Sequence, residues 1–174
     1  MSRILQCPVP SNINPLNPNG FMFSITRIPE VSFFCQEVNL PSISLQNVEM
    51  PTPFVNYPIA GDRPDFGDLN VQFLIDSEMK NYKAVFNWLR GLGFPENNQQ
   101  YTEQTASGTT SEVAASYSDA VLSILGGGSM PIQTIRFVDV LPVSLESLTF
   151  LSTNQDVQYL VGNATFKYAY YNFL

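Results

Sequence analysis

Residues 58–89, PIAGDRPDFGDLNVQFLIDSEMKNYKAVFNWL, decide how the chain folds. Leu69, Val71, Phe73 and Ile75 alternate with polar neighbours, the period of a strand with one buried face. Tyr82, Val85, Phe86 and Leu89 then recur at i, i+3, i+4 and i+7, the stripe of an amphipathic helix. Asp76 or Ser77 is placed to cap that helix, and Glu78 falls in its first turn, where the helix dipole favours negative charge. Gly91, Gly93 and Pro95 stop it. Ahead of the strand, Gly61-Asp62 and Phe66-Gly67-Asp68 read as turns. The unit is a strand followed by a helix of about three turns, and nothing in it resembles a catalytic centre.

Upstream, residues 1–19 hold Pro8, Pro10, Pro15 and Pro18 among Ser and Asn, so they read as an extended arm. Asn19-Gly20 opens a strand over Phe21–Ile28, Pro29-Glu30 reads as a turn, and Val31–Leu40 reads as a second strand pairing with the first. Residues 41–58 carry Val48, Met50, Phe54, Val55 and Tyr57 without a helical period, punctuated by Pro51, Pro53 and Pro58. Central strands avoid proline, so this is a sheet edge or a long extended hairpin arm. An apolar edge invites pairing between chains.

Downstream, residues 96–118 are polar and poor in large aliphatics, a long surface excursion. Asp119–Leu125 and Ile132–Leu141 read as a hairpin joined through Gly126, Gly127, Gly128 and Ser129, with Pro142 as its end. That glycine run has no Lys after it, unlike a phosphate loop. Residues 157–171 are strongly β-prone, with Ala164, Phe166, Tyr168 and Tyr170 on one face. The tally is about seven strands and one flanking α-helix. That makes the chain mainly β, an antiparallel sandwich or small barrel in a single domain over residues 20–174.

Composition narrows function more than it names it. Fifteen acids against eight bases give a net charge of −7, which argues against a basic phosphate-neutralising groove. The sequence has no His, so the usual acid-base group near neutral pH is missing. Cys7 and Cys35 are too few for a disulfide framework or a zinc site. Asp62, Asp65 and Asp68 are clustered, but Arg63 lies among them and the spacing is not that of a calcium loop. They read as turn residues bonding their own backbone. No signal-peptide core and no membrane span is expected. We therefore expect no catalysis, no cofactor and no metal.

In order, the motifs are the Phe34-Cys35 strand ending at Leu40-Pro41, the extended arm and the Ala60-Gly61-Asp62-Arg63 turn. The Leu69–Asp76 strand, the Phe86–Trp88 helix end, the Leu141-Pro142-Val143 corner and the aromatic Thr165–Tyr171 strand follow. This order resembles the tail tube proteins of contractile-tailed, T-even-type bacteriophages. The resemblance implies a virion protein assembled in the host cytoplasm, whose hexameric rings stack into the inner tube of the tail. It implies contacts with its own copies, with the tail sheath protein and with baseplate and tail terminator proteins. Double-stranded DNA would pass through an acidic lumen without specific binding. Val48, Met50, Phe54, Val55, Tyr57, Asp62 and Arg63 would make the contacts between subunits. Two alternatives stay open: a baseplate-proximal initiator or terminator ring of the same fold, and a monomeric β-sandwich that binds a ligand.

Overall fold

The computed structural model describes residues 15–16, 18–93, 116–126, 128–151 and 159–174. Cys7, most of the Pro-rich leader and most of the 96–118 excursion lie outside these residues. In order, the chain forms β1 (Phe21–Ile25), α1 (Pro29–Phe33), β2 (Cys35–Val38), β3 (Ile43–Pro51), β4 (Asn56–Phe66) and β5 (Leu69–Leu74). Then come α2 (Lys80–Gly93), β6 (Ser118–Leu125), β7 (Pro131–Leu145), β8 (Val161–Lys167) and β9 (Tyr170–Phe173).

All pairings are antiparallel, and the main sheet runs β1-β6-β7-β8-β5-β2. The bend in β7 turns it into two layers. The first part of β7 pairs with β6 on one side and β9 on the other, and its last residues pair with β8. Between the two parts Asp139 adopts φ +56°, a left-handed conformation uncommon for a side-chain-bearing residue. The core fills the space between the layers: Phe23 and Ile25 from β1, Leu69, Val71 and Phe73 from β5, Ile135 and Phe137 from β7, Phe166 from β8. Helix α2 adds Val85 and Trp88. Gly162 lies opposite Phe73 in the ladder, and a Cβ there would sit 3.1 Å from the Phe73 ring. The glycine permits a close approach rather than marking a bulge.

Several expectations are corrected. The two N-terminal strands do not pair: β1 lies against β6 and β2 against β5. Pro29 begins α1 instead of a turn. A proline at the first helical position loses no hydrogen bond and has a suitable φ. That helix buries Val31 and delays the second strand to Cys35. Pro142 does not end its strand. It is buried opposite Phe166, next to a register shift before Ser144, the setting in which a sheet tolerates proline. The last aromatic run breaks after Lys167, so β8 and β9 join different parts of β7, on either side of its bend. Tyr171, not Tyr170, therefore packs on the core.

Helix α2 is also rotated from its predicted stripe. Its buried residues are Asn81, Val85, Trp88 and Gly91, while Phe86 is exposed. Two apolar stripes compete on this helix, and the one carrying the larger Trp ring is buried. The start is held by Asn81 rather than by Asp76 or Ser77. Its Nδ2 donates to the Leu74 carbonyl at 2.6 Å, and its Oδ1 accepts from the Tyr82 amide at 2.8 Å. Buried and satisfied, it ties the end of β5 to the helix.

Candidate assembly surface

Strands β3 and β4 form a two-stranded ribbon separate from the main sheet. Every residue of β3 and most of β4 are exposed. The ribbon is anchored at its base, where the Gly67 amide donates to the Ser42 carbonyl at 2.9 Å. There the Phe66 ring packs 6.0 Å from Tyr168 and 5.5 Å from Tyr171. The Tyr171 hydroxyl donates to the Pro41 carbonyl at 3.4 Å. Beyond this base the ribbon extends by roughly 30 Å, at about 3.3 Å per strand residue.

Register sorts the side chains. Val48 faces Ile59 and Met50 faces Tyr57, so these four share one side of the distal ribbon. On the other side each pair sets a polar residue against an alanine or proline, and Asn56 donates to Glu49 across it at 3.0 Å. Nearer the base the apolar residues are Ile43 and Leu45, on odd positions, whereas Val48 and Met50 are on even ones. The apolar side thus changes at Gln46. There Gly61, Asp62 and Arg63 stand opposite that single residue. The expected Gly61–Arg63 turn is instead this irregularity inside β4, and the true return is at Thr52–Val55. Gly61 is required at that point, because a Cβ would lie 2.3 Å from the Gln46 carbonyl oxygen. Thr52 Oγ1 bonds both the amide and the carbonyl of Val55 and closes the tip.

The predicted contact residues thus form one feature but not one patch. Val48, Met50 and Tyr57 line the ribbon, Phe54 (99% exposed) and Val55 crown its tip, and Asp62 and Arg63 sit at the bulge. Ile59 was missed and completes the apolar side. Only the cross-strand register, with the turn at Pro53-Phe54, reveals it. A ribbon with one bare apolar side is marginal alone, and a contiguous exposed apolar patch marks an interaction surface.

The outer face of β2, β5 and β8 has a different character. Thr165 donates to Asn70 at 3.0 Å and Asn163 to Glu146 at 2.8 Å, and Glu37 lies beside Gln72. Lys167 is paired with Asp68 at 2.5 Å. The face is a hydrogen-bonded amide and hydroxyl surface that also carries two carboxylates, Glu37 and Glu146.

Among the described residues no three His, Cys, Asp or Glu side chains converge as a metal site would need. Cys35 is a free thiol whose S–H lies 3.8 Å from the Glu37 carbonyl, and burial pushes its pKa up to about 11. In a Cys7→Ser background we expect Cys35 to react slowly with a thiol-specific reagent near pH 8, where the thiolate is scarce. The folded pKa is raised, so the unfolded chain loses this proton first. Stability is then expected to fall between about pH 9 and pH 11. Tyr168, raised by burial to about 12, adds to that loss at still higher pH. Urea titrations of the Cys7→Ser and Cys7→Ser/Cys35→Ser proteins at pH 8 and 10.5 check this. Equal losses in both would show that Cys35 contributes nothing.

The profile of the phage tail tube protein family matches residues 10–174, nearly the whole chain. The chain belongs to the phage tail tube protein family. Membership makes this tail tube family protein a non-enzymatic structural component of a virion tail. Solved structures share its fold. One is from the anti-feeding prophage baseplate, at 17% identity and TM-score 0.63, over 92% of this chain and 96% of that one. Another is from the sheath–tube complex of an extracellular contractile injection system, at 15% identity and TM-score 0.63, over 92% and 91%. A third is from the tube-terminating cap of the anti-feeding prophage, at 12% identity and TM-score 0.64, over 99% of each chain. No curated protein sequence matches the tail tube family protein significantly. None of its described helices is long and apolar enough to cross a membrane.

Proposed function

We propose that six copies close into a ring and that rings stack as the inner tube of a contractile tail, the conduit for double-stranded DNA. The observation that carries this reading is the β3–β4 ribbon, whose apolar side is bare in the single chain. A neighbouring copy would cover it, with Val48, Met50, Phe54, Val55 and Tyr57 as the contacts and Asp62 and Arg63 at the bulge beside them. Residues 20–174 are the ring-building domain in this reading, and 41–58 its arm. The leader and the 96–118 segment are left for contacts with sheath, baseplate or terminator proteins. The amide-rich face with Glu37 and Glu146 suits a lumen wall, because a polyanion slides past neutral and acidic groups without being held.

Negative-stain microscopy of the purified chain tests the reading. Long uniform tubes are expected. A stable single ring that does not stack would point to an initiator or terminator position. A chain that stays monomeric in light scattering at high concentration would overturn both and leave the ligand-binding sandwich.

A further inference from the structure

The terminal strands of the main sheet, β1 and β2, are each paired on one side only. Between them opens a groove of about 410 Å³, lined by Phe21, Met22, Phe23, Pro29, Ser32 and Cys35. Its volume lies in the range, about 300–1,000 Å³, of pockets that hold compact apolar ligands. Its lining carries no charge. Ser32 contributes to the lining, with its hydroxyl oxygen turned into the protein and no hydrogen-bond partner for it among the described residues.

We infer that this groove receives the Phe54 tip of another copy's ribbon, a contact that deepens the proposed stacking and rests on it. Three observations make the tip the occupant. It is the most exposed large apolar side chain among the described residues, at 99%. Its turn is already closed by Thr52 against Val55 and flanked by Pro51 and Pro53, so little order is lost on docking. Residues 50–57 are uncharged, like the groove.

The register adds direction. The ribbon springs from the end of the molecule where Leu69 pairs with Phe166 and Tyr171 with Phe137. The groove lies at the other end of the same strands, where Cys35 pairs with Phe73 and Phe21 with Ile124. A tip at one end and its receptor at the other make a head-to-tail contact, which propagates instead of closing on a pair.

Cross-linking decides it. In a Cys7→Ser/Cys35→Ser background, Met22→Cys and Val55→Cys place one thiol in the groove and one beside Phe54, which stays intact. Assembled protein is oxidised with copper phenanthroline, which accepts the two electrons of each disulfide. Non-reducing gels should show a ladder of trimers and larger species for the double variant, and at most dimers for either single variant. Separately, Phe54→Ala should raise the concentration needed for stacking roughly tenfold to a hundredfold, with Phe54→Leu close to the parent. Tubes in the microscope without a ladder would overturn the groove assignment and leave the tube reading standing, with the leader as the next occupant to examine. No assembly at any concentration would overturn the tube reading and this inference together.

Discussion

Deleting residues 46–57 is expected to abolish assembly and leave a folded monomer. The deletion removes Val48, Met50, Phe54, Val55 and Tyr57, all strongly exposed in the single chain. Burying one such side chain contributes about 1.5–3 kcal/mol. Two of them at about 2 kcal/mol each already account for roughly a thousandfold in association. The domain loses almost nothing, because no residue between Ser42 and Phe66 belongs to the buried core. Ile43 still faces Phe66 and Leu45 still faces Pro64, and the Ser42–Gly67 bond and the Phe66 ring contacts remain. We expect a melting temperature within a few degrees of the full chain, a monomer by light scattering and an empty field by microscopy. Rings formed by the deleted protein would show that the ribbon is not the assembly element.

Trp88→Ala is expected to cost about 3–5 kcal/mol of folding stability. The indole is 2% exposed, stands 6.3 Å from the Phe166 ring, and donates from Nε1 to the Ser116 carbonyl at 3.2 Å. The Arg27 guanidinium lies 5.2 Å over its face, where the ring's electron-rich surface attracts a cation. Truncation leaves a cavity at the junction of α2 with the sheets and strands a carbonyl. Since a domain of this size is stable by about 5–15 kcal/mol in total, the midpoint should drop on the order of 10 °C. Circular dichroism is the right probe, because this is the only Trp in the sequence. Trp88→Phe should lose clearly less. A loss under about 1 kcal/mol for the alanine variant would place the ring outside the core.

The two predictions separate assembly from folding, and the sequence is legible to different depths for each. The Leu69–Phe73 alternation was read directly, because a strand with one buried face writes its period locally. Proline and apolar residues without a helical period likewise mark 41–58 as a sheet edge or an extended hairpin arm. The pairing of the first two strands is not legible in the sequence, because Pro29 is as compatible with a helix start as with a turn. The buried face of the helix is ambiguous in the sequence, because Phe86 and Trp88 offer two stripes of nearly equal merit on one helix. Ile59 escaped notice for a third reason: its role exists only opposite Val48.

The mainly β class, the flanking helix, the poverty of catalytic groups and the existence of an arm follow from the sequence by itself. They depend on periods, breakers and residue types within a few positions of one another. The order β1-β6-β7-β8-β5-β2, the bend at Asp139, the turn at Thr52–Val55 and the groove between β1 and β2 were decided only by the tertiary structure. Each depends on which distant strands share hydrogen bonds and which side chains win the interior. A strand's own residues carry no record of its neighbour, so those choices are settled by packing the whole chain at once.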